Sequence, residues 1–111
     1  MSQHDLVLSV VANDTTFARQ NVRGVLCWVG KCLFCNSKLV VGLSGDLPDG
    51  VTVEHIVPRH HGGTDDVGNL ALACFRCNNE KGRHHDVKRA DNARSREVIE
   101  KLLQKRRLRL P

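Results

Sequence analysis

Apolar positions along the chain fall into short, separated clusters, never one long run. Leu6, Val7, Leu8, Val10 and Val11 crowd into one stretch rich in β-branched side chains, so residues 1–12 are expected to hold a short strand. Asp14 stands as an N-cap before a helix expected over residues 15–29, with Phe17, Val25 and Trp28 as core positions and Gly30 as its stop. Residues 39–43 and 51–56 read as two strands, and the turn formers of residues 44–50 between them suggest a hairpin. Residues 58–68, with Pro58, Gly62, Gly63, Asp65 and Asp66, read as loop, and residues 70–72 as a further short strand. Residues 78–81 begin a helix that Gly82 is expected to end. Asp91 or Asn92 caps a last helix in which Val98, Ile99, Leu102 and Leu103 recur at helical spacing, a stripe better suited to covering the protein's own core than to dimerisation.

The length of 111 residues fits one domain, residues 1–111, whose core is small enough to benefit from a structural staple. With one Trp, three Phe and no Tyr, the chain is too poor in aromatics to bind nucleic acid mainly by stacking bases. Charge is unevenly spread. Residues 1–80 hold 6 basic and 8 acidic side chains, whereas residues 81–111 hold 11 and 4. A basic helical extension over about residues 91–110 therefore implies a polyanionic partner, with nucleic acid the commonest. The apolar stretch near the start has no basic segment before it and no cleavage signature after it, and nothing approaches the ~20 apolar residues of a membrane span. A cytoplasmic chain with no membrane contact, a monomer or weak dimer, is the expectation.

Five cysteines in such a chain read as metal ligands before disulfides. Cys32-Leu-Phe-Cys35 and Cys74-Phe-Arg-Cys77 are two dicysteine knuckles, each presenting two thiolates to a Zn²⁺ tetrahedron. Four thiolates leave no open coordination position, so this zinc is structural. A redox role needs only one such pair and gives no reason for the second. Cys27 is left over as a buried cysteine of the expected first helix.

Between the knuckles lie Glu54-His55-Ile-Val-Pro58, then Gly62-Gly63, then Asn69-Leu70, and the second knuckle runs on as Cys77-Asn78-Asn-Glu-Lys81-Gly82. Over about residues 32–82 this order resembles the HNH endonuclease family, in its zinc-stapled branch with two dicysteine knuckles. The resemblance implies an α+β fold: a small ββα-metal core with a four-cysteine zinc site, flanked by an N-terminal and a C-terminal helix. It further implies hydrolysis of DNA phosphodiester bonds, with His55 as general base and Glu54 and Asn78 as ligands of one catalytic divalent ion. Asn69 would pin the loop and orient the base without touching the metal. Neutral imidazole, with an ordinary pKa near ~6.5, suits proton abstraction at cellular pH. The all-oxygen pair Glu54 and Asn78 favours Mg²⁺ or Mn²⁺ over a softer ion.

Adjacent strand residues face opposite ways, so Glu54 and His55 can meet one phosphate only where the strand stops, as Pro58 suggests. Arg59 and Lys81 are candidate phosphate contacts, with solvated charge the plainer alternative for both. His60 and His61 read as loop residues, and His84 and His85 receive no role. The competing interpretation is a catalytically silent zinc-stapled module that binds nucleic acid, probed by whether Glu54, His55, Asn69 and Asn78 act together. The expected partner is DNA, double-stranded by default.

Overall fold

The structure, a computed structural model, describes residues 2–111. The first element is a helix, α1 (Gln3–Ala12), where a strand is expected. Two features decide this. Ser2 and Asp5 form a reciprocal capping box that satisfies the first free N–H groups, and Leu6, Val7, Val10 and Val11 recur at the i, i+3 and i+4 offsets of one buried helical face. β-Branching lowers helix propensity only slightly, and burial of this face overrides it.

The helix expected next is instead a hairpin. β1 (Ala18–Val22) and β2 (Val25–Lys31) pair antiparallel, joined by the two-residue turn Arg23-Gly24. Both turn residues have positive φ, 52° and 81°, the combination whose twist matches paired strands; glycine adopts it freely, and the Asn21 side chain accepts a hydrogen bond from the Gly24 N–H. Asp14 caps a turn here, accepting from the Thr16 N–H and hydroxyl. Phe17 is buried as expected, but Val25 is exposed and Cys27 is a half-buried strand residue, not a buried helical one.

β3 (Lys38–Gly42) adds to β2, giving the sheet order β1-β2-β3, while β4 (Val51–His55) pairs antiparallel with β5 (Leu70–Cys74). The expected hairpin between residues 39–43 and 51–56 therefore does not form, because β3 pairs back across the first knuckle with β2 and β4 pairs across the loop of residues 56–69 with β5. α2 (Phe75–Lys81) follows β5 directly. Gly82 does not end it in a left-handed cap but carries it into a π-helical turn, Gly82–Asp86. α3 (Ala93–Arg109) starts at Asn92, whose side chain accepts from the Ser95 N–H.

β5 lies at the centre. Leu70 and Leu72 join α1 and β3 in the main core with Val7, Val10 and Val41. Ala71, in the opposite direction, meets Leu33, Ile56 and Leu102, with Val98, Ile99 and Leu103 of α3 packed alongside. The apolar stripe of α3 therefore covers the protein's own core. Its cations are less free than the sequence implies. Arg106 is fully buried and donates to the carbonyls of Asn13 and Val67. Arg109 donates to the carbonyls of Lys31 and Cys32 and to Asn36, and Lys105 to the Phe34 carbonyl. Both arginines approach Asp14, at 3.8 and 3.6 Å. This helix is a clasp across the fold before it is a basic tail. Among the described residues no helix is long and apolar enough to cross a membrane.

Candidate active site

The two knuckles close on one another. The sulfurs of Cys32, Cys35, Cys74 and Cys77 all lie within 4.8 Å of each other, with Cys35 and Cys74 at 4.0 Å. A tetrahedral zinc at ~2.3 Å from each sulfur requires sulfurs about 3.8 Å apart, so the four fit zinc with little adjustment. The Cys74 N–H donates to the Cys32 sulfur, tying one knuckle to the other. The Ser37 hydroxyl and N–H pull the Cys35 thiol down to about 6, while burial pushes Cys32 and Cys77 up. One ligand is thus ready as a thiolate, and Cys32 and Cys77 would give up protons to a metal.

The register of β4 against β5 divides the remaining residues between two faces. Thr52 and Glu54 oppose Ala73 and Ala71, and Val53 and His55 oppose Leu72 and Leu70. On the first face α2 packs with Asn78 and Lys81, one turn apart. The Asn78 amide NH₂ donates to the Thr52 hydroxyl at 2.8 Å, and the Lys81 ammonium donates to Glu54 Oε1 at 3.2 Å. Glu54 and Asn78 thus stand at one strand–helix seam, each bonded to a residue of the other element. Glu54 is 3% exposed, and its second oxygen, Oε2, is buried with no partner. Burial outweighs the pull of Lys81 and pushes the Glu54 carboxyl up to about 7.

Lys81 departs from expectation. Its side chain is 2% exposed, and its three donor directions go to Glu54, to Asp86 Oδ1 at 2.6 Å and to the His55 carbonyl at 3.4 Å. A lysine so enclosed is no phosphate contact; it is the counter-ion of two carboxylates. The π turn makes this possible, because it sets Asp86 five residues beyond Lys81 and back against its ammonium.

His55 ends β4 on the other face, near Gln3 and Leu6 of α1. Its partners are Asp65 and Arg59, not Glu54 or Asn78. Nε2 lies 2.7 Å from Asp65 Oδ1, and the Arg59 guanidinium donates to both Asp65 oxygens at 3.2 and 3.3 Å. The Arg59 Nε–H donates towards the same Nε2 at 3.2 Å. Both contacts meet at Nε2: a proton there would serve the shorter contact to Asp65 and leave Nδ1 its lone pair, whereas a lone pair there would accept from Arg59. The bond from His55 holds Asp65 below the ordinary carboxylate range, and Arg59 adds to it.

Asn69 acts on the loop between. Its amide accepts from the Val57 N–H at 2.8 Å and donates to the carbonyls of Val57 and Thr64 at 3.1 and 2.8 Å. Its own carbonyl accepts from the Ile56 N–H. It thereby fixes both chain segments that flank His55 and Asp65. At Gly63 a β-carbon would lie 1.7 Å from the Val57 carbonyl oxygen, so only glycine lets the loop close this tightly. Asp65 and Asp86 are the site residues that the sequence did not single out. Asp65 sits in a turn-rich stretch where acidic residues are commonplace, and Asp86 is recruited by a π turn that no spacing rule signals.

No match was found among curated proteins or among solved structures. The seam of β4 and α2, the paired knuckles and the intervening loop together span the segment for which a relationship was found. Residues 32–84 match the family model described as HNH endonuclease, and the four clustered cysteines fit that family's zinc-binding variant.

Proposed function

We propose that the protein is a divalent-metal-dependent endonuclease that hydrolyses phosphodiester bonds of double-stranded DNA, with the four-cysteine zinc site as scaffold. The observation that carries this reading is the end of β4. There an imidazole in contact with Asp65 stands next in sequence to a buried carboxylate with one oxygen unpartnered. Because β4 stops at His55, a phosphodiester lying across the strand end meets the imidazole from one face and the Glu54–Asn78 seam from the other.

The residues fit a hard cation. Thr52 uses the Asn78 NH₂, which leaves its carbonyl oxygen as a donor, and Glu54 offers Oε2. Lys81 does not block this, since Asp86 is its nearer partner and keeps the ammonium paired if Glu54 turns away. When bound, Mg²⁺ or Mn²⁺ supplies Lewis acidity to the phosphate and its leaving oxygen. His55 Nδ1 takes a proton from water, the water oxygen forms a bond to phosphorus, and the bond to the 3′ oxygen breaks. Arg59, exposed at the mouth, contacts the phosphate flanks. Asn69 holds the loop that presents these groups.

The alternative, a catalytically silent zinc-stapled module, draws on one observation: Lys81 already neutralises Glu54. A plasmid assay separates the two. Purified protein should relax supercoiled DNA with Mg²⁺ or Mn²⁺, and His55→Ala should abolish this without altering the circular dichroism. Cutting retained by His55→Ala removes the imidazole from the mechanism, and wild-type protein that binds plasmid without cutting it is the silent module.

A further inference from the structure

The β1–β2 hairpin extends beyond its sheet. β3 pairs with β2 only from Cys27 to Lys31, so the segment from Asn21 to Leu26 has no third strand beside it. β1 contributes no buried residue, and at the tip Val25 and Leu26 are exposed. An arm that buries so little contributes little to the core.

Its charge is one-sided. No acidic residue occurs between Asp14 and Asp46, whereas Arg19, Arg23, Lys31 and Lys38 all lie within that interval, and all four are exposed. Gln20 and Asn21 add exposed amides to β1. The Arg19 guanidinium rests over the Trp28 ring, 5.1 Å from its centre, with the arginine exposed. The cations of α3 that turn inward, Arg106 and Arg109, cannot do this work.

We propose that the β1–β2 arm is a duplex-DNA contact, a two-stranded ribbon whose arginines meet phosphates while its amides and the Val25–Leu26 tip enter a groove. A major groove about 12 Å wide admits such a ribbon, and exposed apolar side chains there can meet thymine methyl groups. A second copy of the chain is the poorer occupant, because symmetric pairing of β1 edges sets the same arginines side by side. The proposal rests on the DNA reading above, and it adds a binding surface outside residues 32–84.

The test uses full-length, zinc-loaded protein carrying His55→Ala, so that binding is read without cutting, and a short blunt DNA duplex of mixed sequence. Trp28 is the only tryptophan, so its emission reports on the arm directly. Adding duplex should change that emission, and added salt should reverse the change. Arg19→Gln with Arg23→Asn, the latter chosen because asparagine tolerates positive φ, should lower affinity about tenfold or more and flatten the log–log salt slope by about 2, near 0.9 per lost phosphate contact. Arg96→Gln with Arg107→Gln removes equal charge from exposed positions of α3 and should leave the slope closer to the parent. If the arm pair binds with the parent's slope, or the α3 pair flattens it equally, the arm is not the contact. If the parent binds no duplex at all, the DNA reading falls with it; plasmid cutting by the wild type together with an inert arm overturns the arm alone.

Discussion

At the scale of single residues the site is a set of long-range pairings at close distance. Glu54 illustrates the balance. Burial raises its carboxyl to about 7 despite an ammonium 3.2 Å away, so at neutral pH the proton and a metal ion compete for the same oxygens. On the other face of β4, Asp65 is the nearer partner of His55 Nε2, and as a carboxylate it would keep the imidazole proton there. Asp65 touches His55 and no reacting atom, so it is a positioning residue. Asp65→Asn should lower kcat for DNA cleavage by about ten- to a hundredfold, the usual range for an outer partner of a site histidine, with KM within about twofold. Asp65→Glu should recover part of the loss, and long-range ¹⁵N correlations should show the His55 tautomer mixed in the Asn variant alone. Unchanged kcat with an unchanged tautomer would falsify the assignment.

At the scale of elements, what could be read in advance was whatever is encoded within a few residues. The knuckles, β4, β5 and the Asn92 cap all depend on neighbours in sequence and stand close to where they are expected, whereas α2 begins at Phe75, three residues before the expected start at Asn78. The elements of the first 31 residues differ from the sequence expectation for two physical reasons. The capping box at Ser2 outweighs β-branching in α1, and the turn Arg23-Gly24 reverses a segment whose apolar spacing imitates a helix. The role of α3 was hidden too, since only tertiary structure shows Arg106 and Arg109 reaching backbone carbonyls far away in the chain. Deleting residues 93–111 would accordingly unfold the protein and could not report on DNA contact. Arg106→Met leaves Asp14 and two carbonyls short of a buried donor and should cost about 2–4 kcal/mol, read as a lower urea midpoint at constant slope. Arg107→Ala, exposed on the same helix, should stay within about 0.5 kcal/mol. Equal effects from the two would show that the buried guanidinium is no clasp.

At the scale of the whole molecule the zinc site and the clasp converge. The first knuckle hangs from β2 and β3, the second joins β5 to α2, and Arg109 and Lys105 secure the first knuckle to α3 through the Cys32 and Phe34 carbonyls. Cys32 is itself part of the main core. The four-cysteine site is thus the shared vertex of both sheets and of two helices. Structural zinc contributes on the order of ten kcal/mol in apparent terms, comparable with the ~5–15 kcal/mol that separates folded from unfolded states. Removing it with a strong chelator should release about one zinc per chain and abolish near-ultraviolet circular dichroism in a single step. Zn²⁺ should restore the signal and Mg²⁺ should not, because thiolates discriminate against hard ions. The direction with pH follows from the thiols. Burial raises Cys32 and Cys77, so protons compete harder as pH falls, and zinc should be lost at lower chelator concentration in mild acid than at pH 8. A stripped chain that keeps its native spectrum would mean that the clasp and the two cores hold the seam of β4 and α2 unaided, and the cysteines would then need another explanation.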